Sequence, residues 1–181
     1  MIQKKYIPRK GYLATVIPFL KTDLIKVFTG QRRVGKSYML YQIIDEIKKN
    51  DKTANIIYIN KELVEFDAIK NYTQLNLYFE TNKSTTKNNY LFIDEVQEIE
   101  QFEKCLRSIQ AKGEAEIFIT GSNAKLLSSE LSTFISGRYV EIKIYGLSFS
   151  EFLLFHQLEN NEESFNKYIK YGGLPGITNI D

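Results

Sequence analysis

The stretch Gly30-Gln31-Arg32-Arg33-Val34-Gly35-Lys36-Ser37 constrains this chain more than any other part of it. It lies between an apolar run at 24–29 and a segment, 36–49, whose apolar residues Met39, Leu40, Ile43, Ile44 and Ile47 share one helical face. A strand that turns through such a loop into a helix points successive backbone N–H groups inward, and glycine supplies the backbone angles this requires. The helix N-terminus adds partial positive charge at the same place. The loop therefore reads as a phosphate cradle. Lys36 is a point charge toward the terminal phosphates and Ser37 a hydroxyl ligand for Mg²⁺.

A second run, Leu91-Phe92-Ile93-Asp94-Glu95, delivers two carboxylates at the end of an apolar strand. Ligands of open parallel sheets bind beyond the carboxyl ends of the strands, which puts Asp94 beside the loop. An aspartate there can hold Mg²⁺ through its water shell. Glu95 can orient a water for in-line attack on a γ-phosphorus, which favours hydrolysis over kinase or switch chemistry. Thr120, Ser122 and Asn123 follow a further apolar run, and Ser122 or Asn123 could sense the γ-phosphate. The other reading of that segment is a turn satisfied by its own side chains. Arg138 precedes a later strand and is either an arginine finger for a neighbouring subunit or a brace paired with an acid. His156, among Phe152, Leu153 and Phe155, reads as structural.

Strand patterns at 24–29, 55–60, 90–93, 116–120 and 139–145 alternate with helical patterns at 36–49, 67–78 and 101–111. That alternation predicts an α/β fold with a parallel sheet covered on both faces. Ser148 to Glu151 has capping-box spacing and opens a helix to about 158, and another helix covers 165–171. The expected organisation is one domain over 1–181. It comprises a basic segment (1–23), a nucleotide-binding core (24–146) and a helical start of a following region (147–181). The last five residues after Gly172-Gly173-Leu174-Pro175-Gly176 bring no closing element, which points to a piece of a longer protein.

Charge is unevenly spread. Nine of the 24 basic residues, but only one of the 22 acids, fall within 1–36. Such a segment is either a solvated face joined to a phosphate loop or a surface for an acidic partner such as nucleic acid. The N-terminus lacks the apolar core of a secretory signal, and no run approaches the ~18 apolar residues of a membrane span. A cytoplasmic protein without a membrane partner is expected. A lone cysteine, Cys105, supplies neither a disulfide nor a metal cluster and reads as a small buried hydrophobe.

Four stretches together carry a resemblance: G-Q-R-R-V-G-K-S, L-F-I-D-E-V-Q, I-T-G-S-N-A-K-L-L-S-S-E-L-S-T, and G-R-Y-V-E-I followed by L-S-F-S-E-F. With the late Y-G-G-L-P, the chain resembles the N-terminal ATPase domain of the AAA_14-type family, whose members often carry a C-terminal DUF4143 domain. The resemblance implies an AAA-like three-layer P-loop NTPase fold with sheet order 5-1-4-3-2. It also implies ATP as the nucleotide, hydrolysis at Lys36, Ser37, Asp94 and Glu95, and Ser122-Asn123 as the sensor segment. Arg138 becomes a stronger finger candidate. Apart from the resemblance, the expected partners are ATP and either a second copy of the chain or another protein, with nucleic acid less supported.

Overall fold

The computed structural model describes residues 6–121 and 137–176. Helix α1 (Lys10–Val16) comes first, and strand β1 (Ile25–Thr29) runs through the phosphate-loop sequence into α2 (Lys36–Asn50). Then follow β2 (Asn55–Asn60), α3 (Tyr72–Asn82), β3 (Asn89–Asp94), α4 (Phe102–Ala111) and β4 (Glu116–Thr120). Beyond residue 136 come β5 (Tyr139–Lys143), α5 (Phe149–His156) and α6 (Glu162–Tyr171). The five strands form one sheet in the order β2-β3-β4-β1-β5, every neighbouring pair parallel. Read from its other edge, this is the expected 5-1-4-3-2 order of an AAA-like P-loop NTPase.

Alternation along the strands decides what each face holds. Odd-numbered positions (Ile25, Val27, Ile57, Ile59, Leu91, Ile93, Ile117, Ile119) join Leu75 and Phe79 of α3 and Leu106 and Ile109 of α4 in one core. Even-numbered positions (Phe28, Phe92, Phe118, Ile142) join Met39, Leu40, Ile43, Ile44 and Ile47 of α2 in the other. The registers Tyr58↔Phe92, Phe92↔Phe118 and Phe28↔Thr120 keep the parity in phase from strand to strand. The strand-end residues Asn60, Asp94 and Thr120 therefore share the α2 face. On that face Phe92 stacks on Phe118 with centroids 4.5 Å apart and planes 9° from parallel.

Helix ends follow from local chemistry. α2 finishes with Lys48 and Lys49 in its last turn, where cations suit the dipole. Helix α5 has the expected capping box: Glu151 N donates to Ser148 Oγ at 3.3 Å, and Ser148 N donates to Glu151 Oε2 at 2.9 Å. Three expectations shift. The helix expected at 67–78 begins at Tyr72, because Asn71 Oδ1 accepts from the N–H groups of Thr73 (3.0 Å) and Gln74 (3.1 Å) and fixes the start there. The strand expected at 139–145 ends at Lys143. The last helix starts earlier than 165, at Glu162, because the side chain of Asn161 caps it.

Removing the Phe92 ring opens a void between α2 and the sheet. Phe92→Ala should cost about 3–5 kcal/mol of folding stability, read as a lower urea midpoint.

Candidate functional site

β1 ends at Thr29, and Gly30 turns the chain with φ 148°. A Cβ at Gly30 would lie 2.2 Å from the Ile144 carbonyl oxygen, so the chain leaving β5 passes too close for any side chain there. Val34 is buried in the core, while Gln31, Arg32 and Arg33 are exposed, Arg33 with a left-handed φ of 68°. Gly35 caps α2, and Lys36 and Ser37 begin its first turn. Lys36 is 5% exposed. Its Nζ donates to the carbonyls of Gly30 and Gln31, each at 3.2 Å, and lies 3.8 Å from Glu95 Oε1.

Asp94 is fully buried at the tip of β3, two residues beyond Phe92 on the α2 face. Three hydroxyls surround it. Thr120 Oγ1 donates to Oδ1, Tyr58 OH donates to Oδ2 at 3.2 Å, and Ser37 supplies the third bond from the loop. Burial pushes the Asp94 carboxyl above its ordinary range, and the neighbouring Glu95 charge adds to this. The bonds from Thr120, Ser37 and Tyr58 pull it back down. Thr120 Oγ1 also accepts the Glu95 N–H at 3.0 Å, so one side chain fixes both acidic residues.

A cavity of about 730 Å³ extends from this corner. Its lining includes the polar residues Lys36, Ser37 and Glu95 and the apolar residues Ile7, Pro8, Leu147, Leu154, Phe155 and Pro175. Arg9 ties the walls together. Its Nε and Nη2 each donate to Glu151 at 2.8 Å, and its Nη1 and Nη2 donate to the carbonyls of Tyr145 (2.9 Å) and Gly146 (3.0 Å). The guanidinium also lies 4.4 Å from the Tyr12 ring centroid and reaches the Val34 carbonyl at 3.4 Å. The Gly172-Gly173-Leu174-Pro175 segment returns to this wall, where Leu147 N donates to the Gly173 carbonyl at 2.6 Å. A Cβ at Gly173 would stand 2.3 Å from the Leu147 oxygen, so glycine is required there.

The structure thus brings together Gly30 to Ser37, Asp94 and Glu95. It does not bring Arg138 to them. The Arg138 carbonyl accepts from Ile25 N at 2.9 Å, at the start of β1, a strand length of roughly 16 Å from the loop. The finger reading of Arg138 therefore requires a second copy of the chain. Ser122 and Asn123 lie outside the described residues. His156 packs against the rings of Phe152 (4.4 Å) and Phe155 (5.3 Å), and burial lowers its pKa. Burial pushes the Cys105 thiol up to about 12, which leaves it unreactive. No helix among the described residues is long and apolar enough to cross a membrane. Sequence reading missed Arg9, whose partner is 142 residues away, and Tyr58, which strand parity alone could have placed beside Asp94.

A parallel sheet of this order, with a glycine-rich loop beside an acidic strand end, defines a P-loop nucleoside-triphosphatase fold of the AAA type. Residues 22–153 match the AAA domain family AAA_14, and the chain belongs to that family. It is 40% identical over 186 residues to an uncharacterized protein of Haemophilus influenzae, covering 99% of this chain and 46% of that one. An uncharacterized protein of Methanocaldococcus jannaschii is 39% identical over 168 residues, covering 87% of this chain and 37% of its own. The chain thus spans less than half the length of these curated relatives. Among solved structures, the S. cerevisiae Hsp104–ADP complex superposes with a TM-score of 0.67 at 16% identity, covering 95% of this chain and 29% of that one.

The Arg9–Glu151 pair has a pH signature. Arg9 holds the Glu151 carboxyl below its ordinary range, so the pair's contribution is present above that range and lost as pH falls through the lowered value. Glu151→Gln should lower the urea midpoint at pH 7, and the gap to the parent should close as the buffer is taken down toward pH ~3.

Proposed function

We propose that this chain binds Mg-ATP and hydrolyses it, and that occupancy of the site is communicated to the segment after β5. The observation that carries this reading is the junction of loop and acidic strand. Ser37 hydrogen-bonds Asp94, and Lys36 faces Glu95 across 3.8 Å. These are the parts that phosphoryl chemistry needs within one corner.

The donor set fits magnesium. The Ser37 hydroxyl and the Asp94 carboxylate are hard oxygen ligands already in contact, and Mg²⁺ takes one or two protein oxygens with phosphates and water. No cluster of three His, Cys, Asp or Glu side chains occurs among the described residues, so an all-protein metal cage is not what these residues build. When bound, the ion neutralises charge on the β- and γ-phosphate oxygens.

The chain's own residues do the rest. The loop N–H groups and the α2 terminus bind phosphate oxygens, and Lys36 turns from the Gly30 and Gln31 carbonyls toward them. Glu95 orients the attacking water and takes its proton. Thr120 holds that glutamate's backbone and the metal carboxylate in register. The apolar residues of the cavity lining, Ile7, Pro8, Leu154, Phe155 and Pro175, receive the base. The ADP of the Hsp104 complex supports adenine as that base. Because Pro175, Gly176 and α5 residues line the cavity, a nucleotide that fills it touches the segment after β5. This supports reading residues 147–181 as the start of an effector region. Arg138 acts on another copy's γ-phosphate in this reading, and the cellular setting is the cytoplasm.

Phosphate release from Mg-ATP tests the proposal. Glu95→Gln should bind nucleotide as tightly as the parent and lose turnover by about 100-fold or more. Lys36→Ala should lose binding itself. Turnover by Glu95→Gln at the parent's rate would sink the assignment of Glu95, and no phosphate release from the parent would sink the hydrolytic reading.

A further inference from the structure

Glu95 leaves β3 with a left-handed φ of 57° and opens a single 3-10 turn, Val96–Glu98. The turn is pinned twice. Val96 is fully buried, and Glu98 N donates to the Glu95 carbonyl at 3.1 Å. Its geometry folds the Gln97 side chain back onto the glutamate, and Gln97 Nε2 donates to Glu95 Oε2. The far side of that amide is unusual: Gln97 Oε1 is buried and has no hydrogen-bond partner among the described residues. Burying an unpaired carbonyl costs free energy, so some other bond must hold the amide in this orientation. The charge-assisted bond to the carboxylate is that bond.

The two oxygens of Glu95 are thereby made unequal. Oε2 is taken by Gln97, while Oε1 faces Lys36 at 3.8 Å. An arriving phosphate draws the Lys36 ammonium to itself, and among the described residues the Gln97 bond then remains as the side-chain tether of the glutamate.

We propose that Gln97 is a positioning residue for Glu95, holding Oε2 so that Oε1 is the oxygen that receives the proton of the attacking water. The inference rests on the hydrolytic reading above. In the step it serves, the water oxygen bonds to the γ-phosphorus and its proton passes to Glu95 Oε1. The bridging P–O bond breaks, leaving its electron pair on ADP.

The test is steady-state ATP hydrolysis by Gln97→Leu, Gln97→Glu, Glu95→Gln and the Glu95→Gln/Gln97→Leu double variant, with Mg-ADP affinity measured for each. Gln97→Leu should lower kcat by about 10- to 100-fold with KM and ADP affinity unchanged. Gln97→Glu keeps the shape but sets carboxylate against carboxylate, and should be slower still. The double variant should be no slower than Glu95→Gln, because a positioning residue has nothing left to position. A Gln97→Leu protein at the parent's kcat, or a loss that multiplies onto Glu95→Gln, overturns the role of Gln97 and leaves the hydrolytic reading standing. Glu95→Gln at the parent's rate overturns the water-orienting role of Glu95, and the role of Gln97 with it. A readout without turnover covers a slow parent: trapping of ADP with aluminium fluoride should be retained by the parent and lost in Gln97→Leu. Equal trapping by both counts against Gln97, and a parent that neither turns over nor traps sinks both readings.

Discussion

The hydroxyl of Thr120 sits where β3 and β4 end, and the candidate site depends on what it does there. It donates to the Asp94 carboxylate and accepts the Glu95 N–H, so a single side chain fixes the carboxylate of one acid and the backbone of the next. The parallel register of β3 with β4 brings it there: Ile93 faces Ile119, and the next residues on each strand turn toward α2. A one-residue slip in that pairing would send Thr120 to the α3–α4 face and strand the two acids without their link. Hydrophobic packing on both faces of the sheet, and not any contact in the site itself, holds this register.

That arrangement buries a charge to gain chemistry. Asp94 is fully enclosed, and enclosure resists its ionisation. Hydroxyls from three different elements, α2, β2 and β4, offset part of that cost. An aspartate in such a place is a poor contributor to the empty fold and a good one to a complex with a cation, where its charge is matched. Stability and binding therefore pull on the same residue in opposite directions.

Much of this was legible in the sequence, for identifiable reasons. The phosphate loop is local, with all its chemistry within eight residues, and the apolar runs around it fix the strand before and the helix after. The parallel sheet follows from alternating strand and helix patterns, while its order came with the family resemblance. The capping box at Ser148 was readable because both partners lie within one turn. What was not readable depended on distance. Arg9 and Glu151 lie 142 residues apart, and nothing near Arg9 announces its partner. Asn71 displaced the expected start of α3 because a good N-cap outweighs the weak periodicity before it. The location of Arg138 could have been anticipated. A residue that precedes a parallel strand must lie at the end of the sheet away from the loop. The alternation that places Tyr58 against Asp94 was likewise present in the numbering.

The Arg9–Glu151 clasp also sets an order of events during synthesis. Arg9 leaves the ribosome long before Glu151. At about 5–20 residues per second, the 142 residues between them take roughly 7 to 28 s to make. Through that interval the sheet's first four strands can pair and the glycine-rich loop can form, while the cavity still lacks the side chains of α5 and Pro175. The nascent chain thus carries its glycine-rich loop before it carries a complete pocket, which the later-made Leu154, Phe155 and Pro175 close.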